Sequence, residues 1–80
     1  MAVNSDRDEI FRAIADPTRR EIIHHVARSQ GPLTINDLSG QFNMSRQAVT
    51  KHVNVLDEAG LIRSEWEGRQ RLCSADLAGL

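Results

Sequence analysis

Between Ser45 and Asp57 the sequence SRQAVTKHVNVLD gathers side chains able to hold a polyanion or read a base edge. Arg46, Gln47, Thr50, Lys51 and Asn54 recur on one helical face, while Ala48, Val49, His52, Val53 and Leu56 share the other. The first set is cationic or hydrogen-bonding, the second is a core stripe, and no carboxylate interrupts the polar face before Asp57. Ser45 suits the N-cap, where its hydroxyl accepts an amide of the first turn, and Met44 can close a hydrophobic staple on Val49. Ala48 stands where a full capping box has Glu or Gln, so the helix start is free of a carboxylate that would repel phosphate. Arg46 and Gln47 then lie beside unpaired backbone N–H groups, a place that receives an anionic oxygen well.

Such a helix needs a brace, and the stretch before it supplies one. Thr34 reads as a cap with Asp37 at the third helical position, an arm shorter than the usual Glu, so reciprocal capping is open. Ile35, Leu38 and Phe42 form the inward side, and Asn43 and Met44 make the turn. Gly60 ends the second helix as a left-handed residue. The pair from Thr34 to Gly60 has the layout of a helix-turn-helix, whose second helix enters a major groove.

Beyond Gly60 the periodicity changes to two and the chain reverses at Glu67, Gly68 and Arg69, which predicts a small hairpin with QRLCSA as its return strand. Gly68 is the left-handed turn residue, and Arg69 at the tip can reach a minor groove or a phosphate. Trp66 has two readings: a stacking platform for single strands or, as the preferred one, an indole covering the small core beneath the hairpin. The ending SADLAGL reads as the opening turn of another helix, capped by Ser74 with Leu77 and Leu80 inward. It is too short to stand alone, which implies a missing or disordered C-terminal continuation.

Upstream, residues 1 to 5 carry no pattern and are expected to fray. A first helix begins at Asp6, with Ile10, Phe11, Ile14 and Ala15 as its apolar stripe, facing either the monomer core or a second subunit. Asp16 caps a second helix and Pro17 takes its first position, with Ile22, Ile23, Val26 and Ala27 inward. Arg19, Arg20 and Arg28 fall on its solvated side. Arg19 and Arg20 are also close enough to the helix start to touch a DNA backbone, although an ordinary charged face is the simpler account.

Eighty residues make one small domain, placed at 6–80, that gains from an oligomeric partner. Ten Lys and Arg against eleven Asp and Glu give a net charge of −1, which argues against strong nonspecific DNA binding. A monomer would bind weakly and a dimer would double the basic footprint. The single Cys73 excludes an intramolecular disulfide and a zinc finger, and suits a reducing cytoplasm. No run is long enough to insert into a membrane and the start is not a signal peptide, so the expected location is cytoplasmic. His24 and His25 are adjacent, about 100 degrees apart on a helix, and cannot easily share one ion, so helix-surface histidines are favoured over a metal site and no cofactor is expected. Cys73 has no sequence-defined His and acidic partner, and no Gly-rich phosphate cradle appears, which argues against an enzyme.

Three segments in this order, F-x-A-I-A-D-P-T-R-R at 11–20, S-R-Q-A-V-T-K-H-V-x-V-L-x-E-A-G-L-I at 45–62 and E-G-R at 67–69, resemble the ArsR-type (ArsR/SmtB-like) winged helix-turn-helix transcriptional regulators. The resemblance implies a mainly α fold with a small β-hairpin: four helices, two strands and the beginning of a fifth helix. It implies a homodimer through the N-terminal and C-terminal helices that reads double-stranded operator DNA with its fourth helix and touches flanking backbone with the wing. By this resemblance Ser45, Arg46, Gln47, Thr50 and Lys51 are groove or phosphate contacts, His52 combines packing with a phosphate approach, and Arg69 and Arg71 belong to the wing. Arg46 and Gln47 have the chemistry for guanine and adenine edges, Ser45 and Thr50 for phosphate or base, and Lys51 for phosphate.

Metal-sensing members often carry Cys-x-Cys in the third helix, whereas Leu33 to Leu38 here contains no cysteine. The chain is more similar to the branch without an obvious metal site. The expected function is a dimeric repressor on a palindromic operator, released by an unidentified effector or protein partner or by a fall in concentration. Two alternatives are a metal- or thiol-responsive regulator working through His24, His25 and Cys73, and a winged-helix protein-interaction module, which the near-neutral charge would suit.

Overall fold

A computed structural model describes residues 5–77. The chain runs α1 (Ser5–Ala15), α2 (Pro17–Arg28), β1 (Leu33–Thr34), α3 (Ile35–Phe42), α4 (Arg46–Glu58), β2 (Ile62–Glu67) and β3 (Gln70–Ala75). The frayed start expected for residues 1–4 and the inward Leu80 lie outside the described residues, and Ser5 already opens α1.

The first two helices meet at a joint that the sequence DPTRR builds from both sides. Asp16 accepts the Thr18 amide at 2.7 Å and the Arg19 amide at 3.2 Å, and Pro17 opens α2 where no N–H is needed. The two arginines reach back. Arg19 Nε donates to the Ala13 carbonyl at 2.7 Å and Nη2 to the Arg12 carbonyl at 3.1 Å, while Arg20 Nη1 donates to the Ile14 and Ala15 carbonyls at 2.7 and 3.1 Å. The last four carbonyls of a helix have no partner within it. Here those are Arg12 to Ala15, and two guanidiniums satisfy all of them while placing positive charge at the negative end of α1. Arg20 is exposed, as its solvated side requires, whereas Arg19 is half-buried; the guanidiniums of both cap α1.

The core comprises Ala13, Ile22, Val26, Leu38, Val49, Val53, Leu56, Leu61, Ile62 and Cys73. The stripe expected in α1 is shifted. Ala13 is fully buried, Ile10 and Ile14 are half-buried, and Phe11 and Ala15 are exposed, because α1 touches the bundle along a narrow line through its smallest side chain. In α2 Ile22 and Val26 are buried and Ile23 is half-buried against the core, with Ala27 exposed.

A third strand joins the expected hairpin, giving an antiparallel sheet of order β1-β3-β2. Leu33 pairs with Cys73 and Thr34 with Leu72, so the corner after Gly31 and Pro32 is tied to the return strand before α3 begins. A two-residue strand has no periodicity of its own, so it is visible only through its partner. β2 and β3 pair from Ile62↔Ala75 to Glu67↔Gln70 around a turn of Gly68 and Arg69. Gly68 has φ +63 and Arg69 is not left-handed, the pattern of a type II′ turn with glycine first. Ser74 and Ala75 complete β3 opposite Arg63 and Ile62 instead of opening a helix, because a paired edge satisfies their backbone sooner than an isolated helical turn would.

Candidate nucleic-acid interface

The turn between α3 and α4 is fixed by local chemistry. Thr34 and Asp37 form a reciprocal capping box at the start of α3, each side chain accepting the other's backbone amide at 3.0 Å, so the shorter Asp arm suffices. α3 ends on Asn43 in the left-handed conformation, φ 52 and ψ 49, which the short amide side chain of asparagine tolerates. Ser39 then clamps the turn from both directions: its carbonyl accepts the Met44 amide at 3.1 Å and its hydroxyl donates to the Met44 carbonyl.

Ser45 caps α4 as its sequence position requires, with Oγ accepting the Ala48 amide at 3.1 Å and its carbonyl the Val49 amide at 3.0 Å. No acidic residue lies in the first turn. Val49, Val53 and Leu56 are buried and Ala48 and His52 are half-buried; Arg46, Gln47, Lys51 and Asn54 are exposed and Thr50 is half-buried between the two faces. At the other end Gly60 has φ +79, its amide bonds to the Asp57 carbonyl and the Leu61 amide to the Leu56 carbonyl, each at 2.9 Å. These two bonds define a Schellman end, with Leu56 and Leu61 both in the core. Thus both ends of α4 are specified, and its polar face is aimed by three buried side chains.

The wing is attached to that helix through Arg71. Its Nε donates to Ser64 Oγ at 3.0 Å, Nη1 to Asn54 Oδ1 at 2.7 Å and Nη2 to Asp57 Oδ2 at 3.1 Å; Ser64 Oγ donates in turn to Asp57 Oδ2 at 2.8 Å. The Arg71 side chain is only 11% exposed. Its guanidinium is engaged in holding β2, β3 and α4 together, and it occupies Asn54 Oδ1 and Asp57 Oδ2. Sequence reasoning missed this cluster. The available signal was the register, since Arg71 and Ser64 fall on one face of the hairpin only once Trp66↔Arg71 and Ser64↔Cys73 are known to pair.

Arg69 is exposed at the tip. His52 is half-buried, with Nδ1 at 3.5 Å from Arg19 Nη1, so it faces the α1–α2 joint at the outer limit of a hydrogen bond. Trp66 overturns the preferred expectation of a core cover: it is 68% exposed. It lies on the helix-facing side of β2, next to the end of the strand and opposite Arg71. There it lines an open cleft of about 270 Å³ with Thr34, Ile35, Arg46, Thr50 and Arg69. Arg46, Lys51 and Arg69, from two separate elements, are the cations on this side of the fold with no hydrogen bond or ion pair to another described residue.

The alternative chemistries find less support. His24 Nε2 is 3.1 Å from Arg28 Nη1, whereas His25 stands edge-on to Phe42 with centroids 5.6 Å apart, so the two rings have different neighbours. Among the described residues no three His, Cys, Asp or Glu side chains are grouped to hold a metal ion. Cys73 is fully buried, and burial pushes its thiol above the ordinary value, the opposite of a reactive cysteine.

The comparisons with known proteins agree with this geometry. A helix-turn-helix domain family matches residues 14–65. The HTH-type transcriptional regulator Rv2034 of Mycobacterium tuberculosis is 35% identical over 80 residues, 100% of this chain and 73% of that protein. The chain belongs to the ArsR-type winged helix-turn-helix regulators. The transcriptional repressor SdpR of Bacillus subtilis is 34% identical over 62 residues, 78% of this chain and 67% of that repressor. The crystal structure of an ArsR-like transcriptional regulator from Rhodococcus sp. RHA1 superposes with a TM-score of 0.80 at 32% identity, covering 95% of this chain and 70% of that one. As an ArsR-type protein the chain is a sequence-specific DNA-binding transcriptional regulator, and these relatives are regulators rather than enzymes. No helix among the described residues is long and apolar enough to cross a membrane.

Proposed function

We propose that this ArsR-type regulator is a cytoplasmic homodimeric repressor that places two copies of α4 in successive major grooves of a palindromic operator, roughly 34–36 Å apart. The observation that carries the reading is the start of α4: a capped N-terminus without carboxylates, from which exposed Arg46 and Gln47 project. Arg46 takes a guanine edge and Gln47 an adenine edge; Ser45, Thr50 and Lys51 serve phosphates, and Arg69 reaches the flanking minor groove or backbone. His52 supports α4 from the side of the α1–α2 joint. Arg71, expected as a wing contact, acts instead by positioning, because its donors are already shared among Ser64, Asn54 and Asp57.

Dimer formation through α1 and the segment after Ala75 is supported by apolar surface left uncovered there. Phe11 is 64% and Leu77 43% exposed, and Ile14, Ile23, Ala27, Leu61 and Leu77 share an open apolar cleft. Release follows from an effector, a protein partner or a fall in protein concentration that separates the subunits.

The test is selection of genomic fragments by the purified protein, followed by binding of the recovered duplex across salt concentration with wild type, Arg46→Ala and Gln47→Ala. A dimer bringing Lys51 and Arg69 twice to phosphates gives a log–log salt slope of about −4, and a monomer about −2. The two substitutions relax discrimination at one base position each, by ~1–3 kcal/mol. Folded, dimeric wild-type protein that recovers no preferred duplex refutes the direct repressor.

A further inference from the structure

Arg46, Thr50 and Arg69 share their cleft with the one tryptophan of the chain. Isolated exposed apolar residues are normal on a protein surface, so exposure alone assigns Trp66 nothing. Its position does. The β2–β3 register puts Trp66 opposite Arg71 on the helix-facing side of the wing, one step from the turn that carries Arg69. The adjacent carboxylates, Glu65 and Glu67, alternate onto the other side of the strand. The indole therefore shares a cleft open to solvent with a cation of the reading helix, Arg46, and one of the wing tip, Arg69, besides the engaged Arg71.

A duplex whose major groove holds α4 must pass its sugar–phosphate backbone between that helix and the wing. A backbone strand has anionic oxygens for Arg69 and apolar C–H edges on each deoxyribose. An indole complements both, with a broad apolar face and one N–H donor. Resting on the DNA-binding reading above, we propose that Trp66 is a DNA-backbone contact: its ring packs on a deoxyribose of the strand that flanks the half-site, and its Nε1–H donates to the adjoining phosphate. A second copy of this chain is the rival occupant, but a cleft flanked by like charges on both copies disfavours self-association there, whereas a polyanion is favoured.

Because the chain has a single tryptophan, its emission reports on this residue alone. Wild type is titrated with the duplex recovered by genomic selection and with an unrelated duplex of equal length, following indole emission and the anisotropy of labelled DNA together. The expected result is quenching that saturates with the anisotropy. Trp66→Ala weakens binding about tenfold on both duplexes, Trp66→Phe recovers part of the loss, and the salt slope stays unchanged because no charge is removed. Thermal melting checks the fold of each variant; should Trp66→Ala fail to fold, the wild-type emission decides. DNA binding with unaltered emission, or with full affinity in folded Trp66→Ala, overturns the proposal and leaves the regulator reading standing. Emission that follows protein concentration without DNA assigns the residue to a second copy and also overturns it. Wild type that binds neither duplex brings down the DNA-binding reading itself, and this proposal with it.

Discussion

Replacing Arg71 by methionine separates two roles that a wing arginine can have. Methionine keeps the length of the buried stem and removes the fork that bridges Ser64, Asn54 and Asp57. A hydrogen bond to a charged group contributes ~1.5–3 kcal/mol when its partner is left unsatisfied, and an exposed ion pair ~0–1 kcal/mol. The Asp57 side chain is 39% exposed and can recover much of its hydration, while Ser64 remains as one donor to it, so the structure places the cost between those limits. About 1.5 kcal/mol is the resulting expectation, and for a domain of this size it lowers the thermal midpoint by roughly 6–12 °C. Arg71→Lys restores the charge but not the planar fork, and should melt close to the methionine variant.

The same variants are then compared in DNA binding across salt. A brace that is lost lets the wing move relative to α4, so affinity falls while the number of neutralised phosphates stays the same. A phosphate contact that is lost reduces the slope by about 0.9 per subunit, close to 2 for a dimer. The brace predicts a lower midpoint with an unchanged slope for both substitutions. An unchanged midpoint together with a slope reduced by about 2 in Arg71→Met, and rescued in Arg71→Lys, would refute the positioning role and return Arg71 to the contact surface.

Other consequences concern the helix ends and the two perturbed groups. Ser45→Ala removes the cap of α4 and should cost ~1 kcal/mol, with faster amide exchange in the first turn of that helix; an unaltered midpoint would show that water replaces the hydroxyl without loss. The double change Arg19→Met and Arg20→Met uncaps α1 and should accelerate exchange of its amides while leaving β3 protected, whereas uniform acceleration would mean that the joint belongs to the global unfolding unit. Asp16 is held below the ordinary carboxylate value of 3.8, first by the Arg19 backbone amide, then by the Thr18 amide and the Arg19 charge, with desolvation opposing. A depressed carboxylate contributes stability that is present above its unfolded value and lost as pH falls through the folded one, so acid titration below about pH 3.8 should destabilise wild type more steeply than Asp16→Asn; parallel curves would remove Asp16 from the acid response. Burial raises the Cys73 thiol above 9.0, so a thiolate-selective alkylating reagent near neutral pH should label the denatured chain and spare the native one; fast native labelling would reopen a thiol-responsive mechanism.

What could be read from the sequence was whatever depends on neighbours along the chain. Ser45, Asp16 and Thr34 cap helices because a short polar side chain reaches an amide two or three residues on, and that geometry travels with the local sequence. Gly60 and Gly68 were legible for the same reason, each standing where the backbone must turn left-handed. The misses involve partners on another element of the fold. The capping by Arg19 and Arg20 does not show on a helical wheel of α2 alone, since the carbonyls they cap belong to another helix. Trp66 was expected over the core because it has no aromatic partner on a basic sheet, but its burial depends on what the helices place against the end of β2, and it is exposed. β1 exists only by pairing with β3. The candidate contact face was thus legible as far as α4 provides it, and its junction with the wing was not.

The near-neutral charge, which first argued against DNA binding, has a physical resolution in this division of labour. The guanidiniums of Arg19, Arg20 and Arg71 are engaged on helix carbonyls or beside Asp16 and Asp57, so neither they nor those carboxylates describe the field at the tip of α4. The face proposed to meet a groove carries Arg46, Lys51 and Arg69, with Glu58 at the far end of the helix and Glu65 and Glu67 on the outer side of the wing. Nonspecific affinity scales with the number of phosphates neutralised, and three cations per subunit keep it low. A regulator searching a genome competes against its own nonspecific binding, so a small cationic footprint beside a firmly capped reading helix raises the ratio of specific to nonspecific binding more than added surface charge would. The neutral contact from Trp66 fits that logic, since it adds affinity at a defined geometry without steepening the salt dependence.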